Sequence, residues 1–139
     1  MFTTPLENIL IALAAIPNFK TVDAWMGDVK ELLDKVQKLP SAHVLMSGAD
    51  FDPPATIGAT AAPSETTWSI VIISESLRDR KTGLVESLVL IEALIAAAPA
   101  GLTRLNTGFG YLWPASAQFL GADGGKSAYG IKFSLENGR

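Results

Sequence analysis

The chain has 139 residues, a formal net charge of −3, one histidine and no cysteine; 48% of it is hydrophobic and only 18% charged. That length supports a single domain, 1–139, with a real core, and the composition excludes disorder driven by charge repulsion. Without cysteine there are no disulfides, zinc–thiolate sites or thiol nucleophiles, and a pI near 5.0 with scattered cations leaves no electrostatic footprint for nucleic acid.

Thr4-Pro5-Leu6-Glu7 reads as a helix start, with Thr4 as N-cap and Glu7 closing a capping box. The N-terminal stretch lacks the basic region of a signal peptide. Leu6, Ile9, Leu10 and Leu13 follow at one-face spacing until Pro17, and a short extended piece covers Thr21 to Trp25. Asp28 caps a second helix, in which Val29, Leu32, Leu33 and Val36 form a stripe against Lys30, Glu31, Asp34, Lys35 and Lys38. Pro40 stops it, and Ala42 to Met46 reads as a strand. Gly48 to Thr66, with Pro53, Pro54 and Pro63, reads as a long Pro/Ala/Thr loop, a candidate arm lying on a neighbouring subunit.

Trp68 to Ile73 is a β-branched run suited to the centre of a sheet. The polar turn Glu75 to Thr82 leads to a helix over Gly83 to Ala98. It is apolar around most of its circumference and is expected to be covered on more than one side. Its apolar stretch is too short to span a bilayer comfortably and carries Glu86 and Glu92, so it reads as a buried helix and the location as cytoplasmic. Leu105 to Trp113 and Ala117 to Leu120 read as strands around Pro114. The loop Gly121 to Gly125 joins the second to a last strand, where Tyr129, Ile131, Phe133 and Leu135 alternate with Gly130, Lys132 and Ser134. The order α-β-α-β-β-α-β-β-β implies an α+β fold: a small, mixed, largely antiparallel sheet with three helices packed on it.

Chemistry is sparse along this chain. His43, in a strand among apolar neighbours, reads as a hydrogen-bonded structural residue, and no G-x-S-x-G accompanies it. Gly124-Gly125-Lys126-Ser127 resembles the end of a P-loop, but Leu120 stands where its first glycine belongs and a strand follows, so it is a hairpin loop. Asp50, Asp52 and Glu65 lack the further ligands of a calcium loop. No catalytic, metal or cofactor residue is assigned, and an enzyme is not expected. A mean hydropathy of +0.28 with so little charge instead suggests that a partner covers part of the apolar surface.

Several stretches resemble a family of small proteins encoded between the head and tail genes of Mu-like phages and prophages. They are Val22 to Asp28, Leu32 to Pro40, Trp68 to Ser74, Arg78-Asp79-Arg80, Leu84 to Ala98 and Ala128 to Leu135. The resemblance in the order of features runs over nearly the whole chain, and these stretches are structural patterns rather than catalytic signatures. The long Gly48–Thr66 loop departs from the family pattern.

The resemblance implies a tail terminator: a virion protein, assembled in the host cytoplasm, that forms a homohexameric ring on the tail tube. Such a ring stops tube polymerisation, meets the head connector and, in contractile tails, the uppermost sheath ring, while DNA passes through without specific binding. A head–tail connector or completion (neck) protein is the alternative, and a small-molecule-binding module or unrecognised hydrolase the second. No chemical role carries over from the family. The candidate contacts with other subunits and partners are Phe51, Asp52, Pro53, Pro54 and Ile57 in the loop, Arg78, Arg80 and Lys81 in the polar turn, and Trp25 and Trp113 at strand ends.

Overall fold

A strand buried on both faces needs apolar side chains at consecutive positions, and the run from Trp68 to Ile73 supplies them. In the computed structural model, which describes residues 2–27, 29–34, 38–51, 63–75, 80–108, 110–123 and 125–136, this run is the middle of a five-stranded sheet of order β1-β2-β3-β5-β4. The elements in chain order are α1 (Thr3–Ala14), β1 (Thr21–Ala24), α2 (Val29–Asp34), β2 (Ser41–Phe51), β3 (Pro63–Glu75), α3 (Arg80–Ile95), β4 (Leu112–Asp123) and β5 (Lys126–Glu136). Among the described strands β1 and β2 pair in parallel, and β2–β3, β3–β5 and β4–β5 pair antiparallel. The fold is α+β, a mixed and largely antiparallel sheet carrying three helices among the described residues.

Alternation along the strands sorts the core into two layers. Ala42 and Val44 of β2, Trp68, Ile70 and Ile72 of β3, and Ile131, Phe133 and Leu135 of β5 share one cluster with Ile9 and Leu13 of α1 and Leu90 and Leu94 of α3. Val71, Ile73 and Ala128 point the other way, against Leu32 and Leu33 of α2. The buried hydroxyls are satisfied locally. Ser87 on α3 donates to the Gly83 carbonyl at 2.9 Å and lies 2.8 Å from Ser74 of β3, whose hydroxyl is 3.3 Å from Ser127 of β5. Trp68 is buried with its Nε1 donating to Thr66 Oγ1 at 3.0 Å.

Four sequence expectations need correction. The region read as a loop over Gly48–Thr66 contributes strand at both ends. Gly48 pairs with Thr67, Ala49 with Thr66, Asp50 with Glu65 and Phe51 with Pro63, so β2 and β3 are the arms of a hairpin. Small residues obscure the alternation there, and Pro63 is tolerated because it opens its strand. Positions 52–62 lie outside the described residues.

The strand expected over Leu105 to Trp113 is mostly a turn. Leu112 N–H donates to the Leu105 carbonyl at 3.1 Å, and Thr107 N–H to Gly110 at 2.9 Å. β4 instead runs unbroken from Leu112 through Pro114, which an edge strand with a register shift between Pro114 and Ser116 can accommodate. The order therefore ends in two strands rather than three.

The capping box does not form either. α1 begins at Thr3 with Phe2 at its N-cap, no side chain caps it, and its first turn holds no acid. Finally, α3 starts and stops earlier than Gly83–Ala98, and only one of its sides is covered. Gly83, Ser87, Leu90 and Leu94 face inward, whereas Leu84, Val85, Leu88 and Val89 are between 44% and 51% exposed.

Candidate functional site

The residues singled out in the sequence do not converge on one point. Phe51, at the end of β2, is 52% exposed and meets the Phe2 ring edge-on at 6.5 Å. Trp25 follows β1 and stands edge-to-face with the His43 ring at 6.2 Å. Trp113 lies across the sheet on β4, 55% exposed, with the Arg104 guanidinium 5.8 Å from its ring centre. Arg80 and Lys81 sit in the first turn of α3. Asp52, Pro53, Pro54, Ile57 and Arg78 lie outside the described residues.

Phe2 links two of these positions, because it also lines an apolar cleft. That cleft, of ≈ 740 Å³, is built from the first turn of α1 (Phe2, Thr3, Leu6), the chain leaving β1 (Ala24 to Gly27) and the middle of β2 (Val44 to Met46), with Trp68 beneath. None of these side chains is ionisable. Met26 is 99% exposed at the cleft, and Met46 is partly exposed. Unbranched thioethers adapt to the shape of whatever enters, so this lining suits an apolar protein segment. A smaller cleft of ≈ 300 Å³ lies between Leu39-Pro40, Ser74-Glu75 and α3, and takes Val85 and Val89 from the outer side of that helix.

That outer side is the feature the sequence reading misplaced. Leu84, Val85, Leu88 and Val89 recur at i, i+1, i+4 and i+5, with Ile95 partly exposed further along. They make one aliphatic stripe directed away from the sheet. Glu92, one turn beyond Leu88, and Glu86 beside the stripe are exposed. A helix apolar on both sides within one chain presents a surface that water covers poorly.

A second arrangement appears only in three dimensions. Parallel pairing sets Asp23 of β1 beside His43 of β2, and Ser41 is two residues away on the same face. The His43 Nδ1 contacts Asp23 Oδ1, and its Nε2 lies 2.9 Å from Ser41 Oγ. With the Nδ1–H donating to the carboxylate, Nε2 of a neutral ring accepts from the Ser41 hydroxyl. The sequence of groups is that of a hydrolase triad. Ser41 and His43 are nevertheless wholly buried, and neither cleft is lined by either of them. The relay ties the edge strand β1 to β2, in keeping with the structural role expected for His43.

The acidic residues are similarly placed in the frame of the sheet. Asp50 and Glu65 are cross-strand partners at the far end of the β2–β3 hairpin, and Glu65 accepts from Ser134 at 2.8 Å. Among the described residues no group of three or more His, Cys, Asp or Glu side chains is arranged to hold a metal ion. Of the Gly124–Ser127 stretch, Lys126 and Ser127 open β5 and pair with Asp123 and Ala122 of β4, and Gly124 lies outside the described residues. There Lys126 donates to the carbonyl of Leu33 at 3.1 Å, so its amine serves the C-terminal end of α2. The chain matches no protein-family model and no curated protein sequence.

Proposed function

We propose that this chain is a structural subunit that assembles into a ring, and that the ring is a phage tail terminator. The assembly half of the reading is carried by the outer stripe of α3. Four aliphatic side chains in neighbouring turns, each about half exposed, form a contiguous apolar surface of the kind that marks a protein–protein contact. The apolar cleft beside Trp25 supplies a second such surface. A ring needs two different surfaces on each subunit, so that contacts run head to tail and close.

The phage half is supported by the resemblance in element order and in the stretches Val22–Asp28, Leu32–Pro40, Trp68–Ser74 and Leu84–Ala98. The small α+β fold is compatible with it, and the mildly acidic charge suits a channel through which DNA slides without being gripped. The proposed partners are further copies of this chain, the tail tube protein and the head connector.

The test is to polymerise the tube protein with and without the purified chain and to measure tube lengths by electron microscopy. Tubes capped at one end by a ring, and shorter on average, are the expected result. A chain that binds connector and leaves tube length unchanged would be a neck component instead. One that stays monomeric and alters nothing would sink the assembly reading.

A further inference from the structure

We propose that Arg104, stacked on Trp113 beside Tyr111, anchors a carboxylate on an acidic, partly apolar segment of another protein. The site lies at the start of β4 and stands whether or not the chain forms a ring.

Arg104 is held in a conformation that its side chain disfavours. Among the described residues it is the one non-glycine residue with positive φ, at 64°. Leu105 N–H donates to the Leu102 carbonyl at 3.0 Å, so Arg104 is the third residue of a tight turn. Type II turns give that position to glycine or asparagine. The Arg104 N–H donates to the Leu112 carbonyl at 2.8 Å, which fixes the turn against the first residue of β4. Folding alone would favour glycine there, and an arginine in its place points to a use for the guanidinium.

That guanidinium lies 5.8 Å from the centre of the Trp113 ring, and the residue is exposed. Stacking on the indole holds the planar group in place. Among the described residues no hydrogen bond or ion pair engages its N–H groups. Tyr111 comes two residues before Trp113, on the same side by strand alternation, and is 64% exposed. It follows a turn that is itself fixed. Asn8 of α1 donates to the Thr107 carbonyl at 2.7 Å, and the Thr107 N–H and hydroxyl donate to the Gly110 carbonyl at 2.9 and 3.0 Å. Anchors on so constrained a backbone lose little freedom when a partner arrives. Arginine, tryptophan and tyrosine are also the residue types that concentrate binding energy at interfaces.

Charge and shape select the ligand. A fixed guanidinium presents paired N–H groups in one plane, the match for a carboxylate, and the aromatic rings beside it suit an apolar neighbour of that carboxylate. On the sheet face beside Trp113, Ser134 is its cross-strand partner and Lys132, two residues away, is an exposed second cation. The Glu65 carboxylate on this face already accepts from Ser134 at 2.8 Å. Two cations serve an acidic peptide, whereas a phosphate backbone draws on a longer row of them and meets a chain of net charge −3.

The experiment titrates the full chain with the acetylated, amidated peptide Leu-Glu-Glu-Leu, with its glutamine counterpart and with a thymidine oligonucleotide, reading N–H signals by nuclear magnetic resonance. The glutamate peptide should move the Trp113 indole and the Arg104 and Tyr111 amides to saturation, and the glutamine peptide should not. Arg104→Gly should weaken binding by about tenfold or more. It should melt no lower than the parent chain, because glycine suits the turn. Arg104→Lys keeps the charge without the planar fork and should fall between the two. No movement, equal movement by the glutamine peptide, movement centred elsewhere or unchanged binding by Arg104→Gly would each overturn the site. A lower melting temperature for Arg104→Gly would assign the arginine to the turn itself, and preference for the oligonucleotide would make the partner a nucleic acid; either result overturns the carboxylate anchor. Failure here leaves tube capping untouched, since the site needs no ring.

Discussion

Removing the imidazole of His43 would strand the hydroxyl of Ser41 in a fully buried site and deprive Asp23 of its cross-strand partner. Leaving a buried polar group unsatisfied costs about 1–3 kcal/mol. His43→Ala is therefore expected to lower the unfolding free energy by that much, read as a lower urea midpoint at unchanged slope, with faster amide exchange in β1 than in β3. An unchanged midpoint would mean that the relay contributes nothing to docking β1. The structural part of this arrangement is legible in the sequence, because a single histidine between apolar residues of a strand needs hydrogen-bond partners. The identity of those partners is not legible. Ser41 is two positions away, but Asp23 arrives through parallel pairing across an intervening helix, and no local pattern encodes that register.

Short elements depend on a few ties, and α2 is the clearest case. It spans only Val29–Asp34 among the described residues, and two of its side chains, Leu32 and Leu33, are buried against the sheet. Lys126 reaches from the start of β5 to the Leu33 carbonyl, near the negative end of the helix. Lys126→Met should raise amide exchange within 29–34 while leaving β3 and β5 protected. Equal protection in both proteins would show that packing of Leu32 and Leu33 suffices.

Legibility at this scale follows the strength of periodicity. β5 alternates apolar and polar or small residues over its length, and β3 carries a β-branched run, so both are evident in the sequence. At the far end of the β2–β3 hairpin Gly48, Ala49 and Asp50 face Thr67, Thr66 and Glu65, small and polar residues that blur the alternation and read as loop. In β4 the proline that suggests a break sits on an edge strand, where its missing N–H costs little. Apolar residues around α3 are legible as well; which of its sides the chain itself covers is not, because that is a property of the whole sheet.

At the scale of the molecule, the low charge content and the two-sided α3 describe one surplus of apolar surface, seen once in composition and once in space. If that surplus drives assembly, its thermodynamics follow from apolar burial. Hydrophobic association weakens on cooling, is strengthened by sulfate, and responds little to the screening of charges by sodium chloride. The assembled chain should therefore shift toward monomer as it is cooled toward about 0 °C, regain mass in ammonium sulfate, and hold its mass as sodium chloride is raised. Glu92 is an exposed carboxylate beside the stripe, and exposed charges contribute little next to apolar burial, so Glu92→Gln should leave the assembly largely intact. Dissociation by sodium chloride with no response to cold would reverse that ranking. It would place the driving force in the charges of Glu86 and Glu92 rather than in the leucines and valines between them.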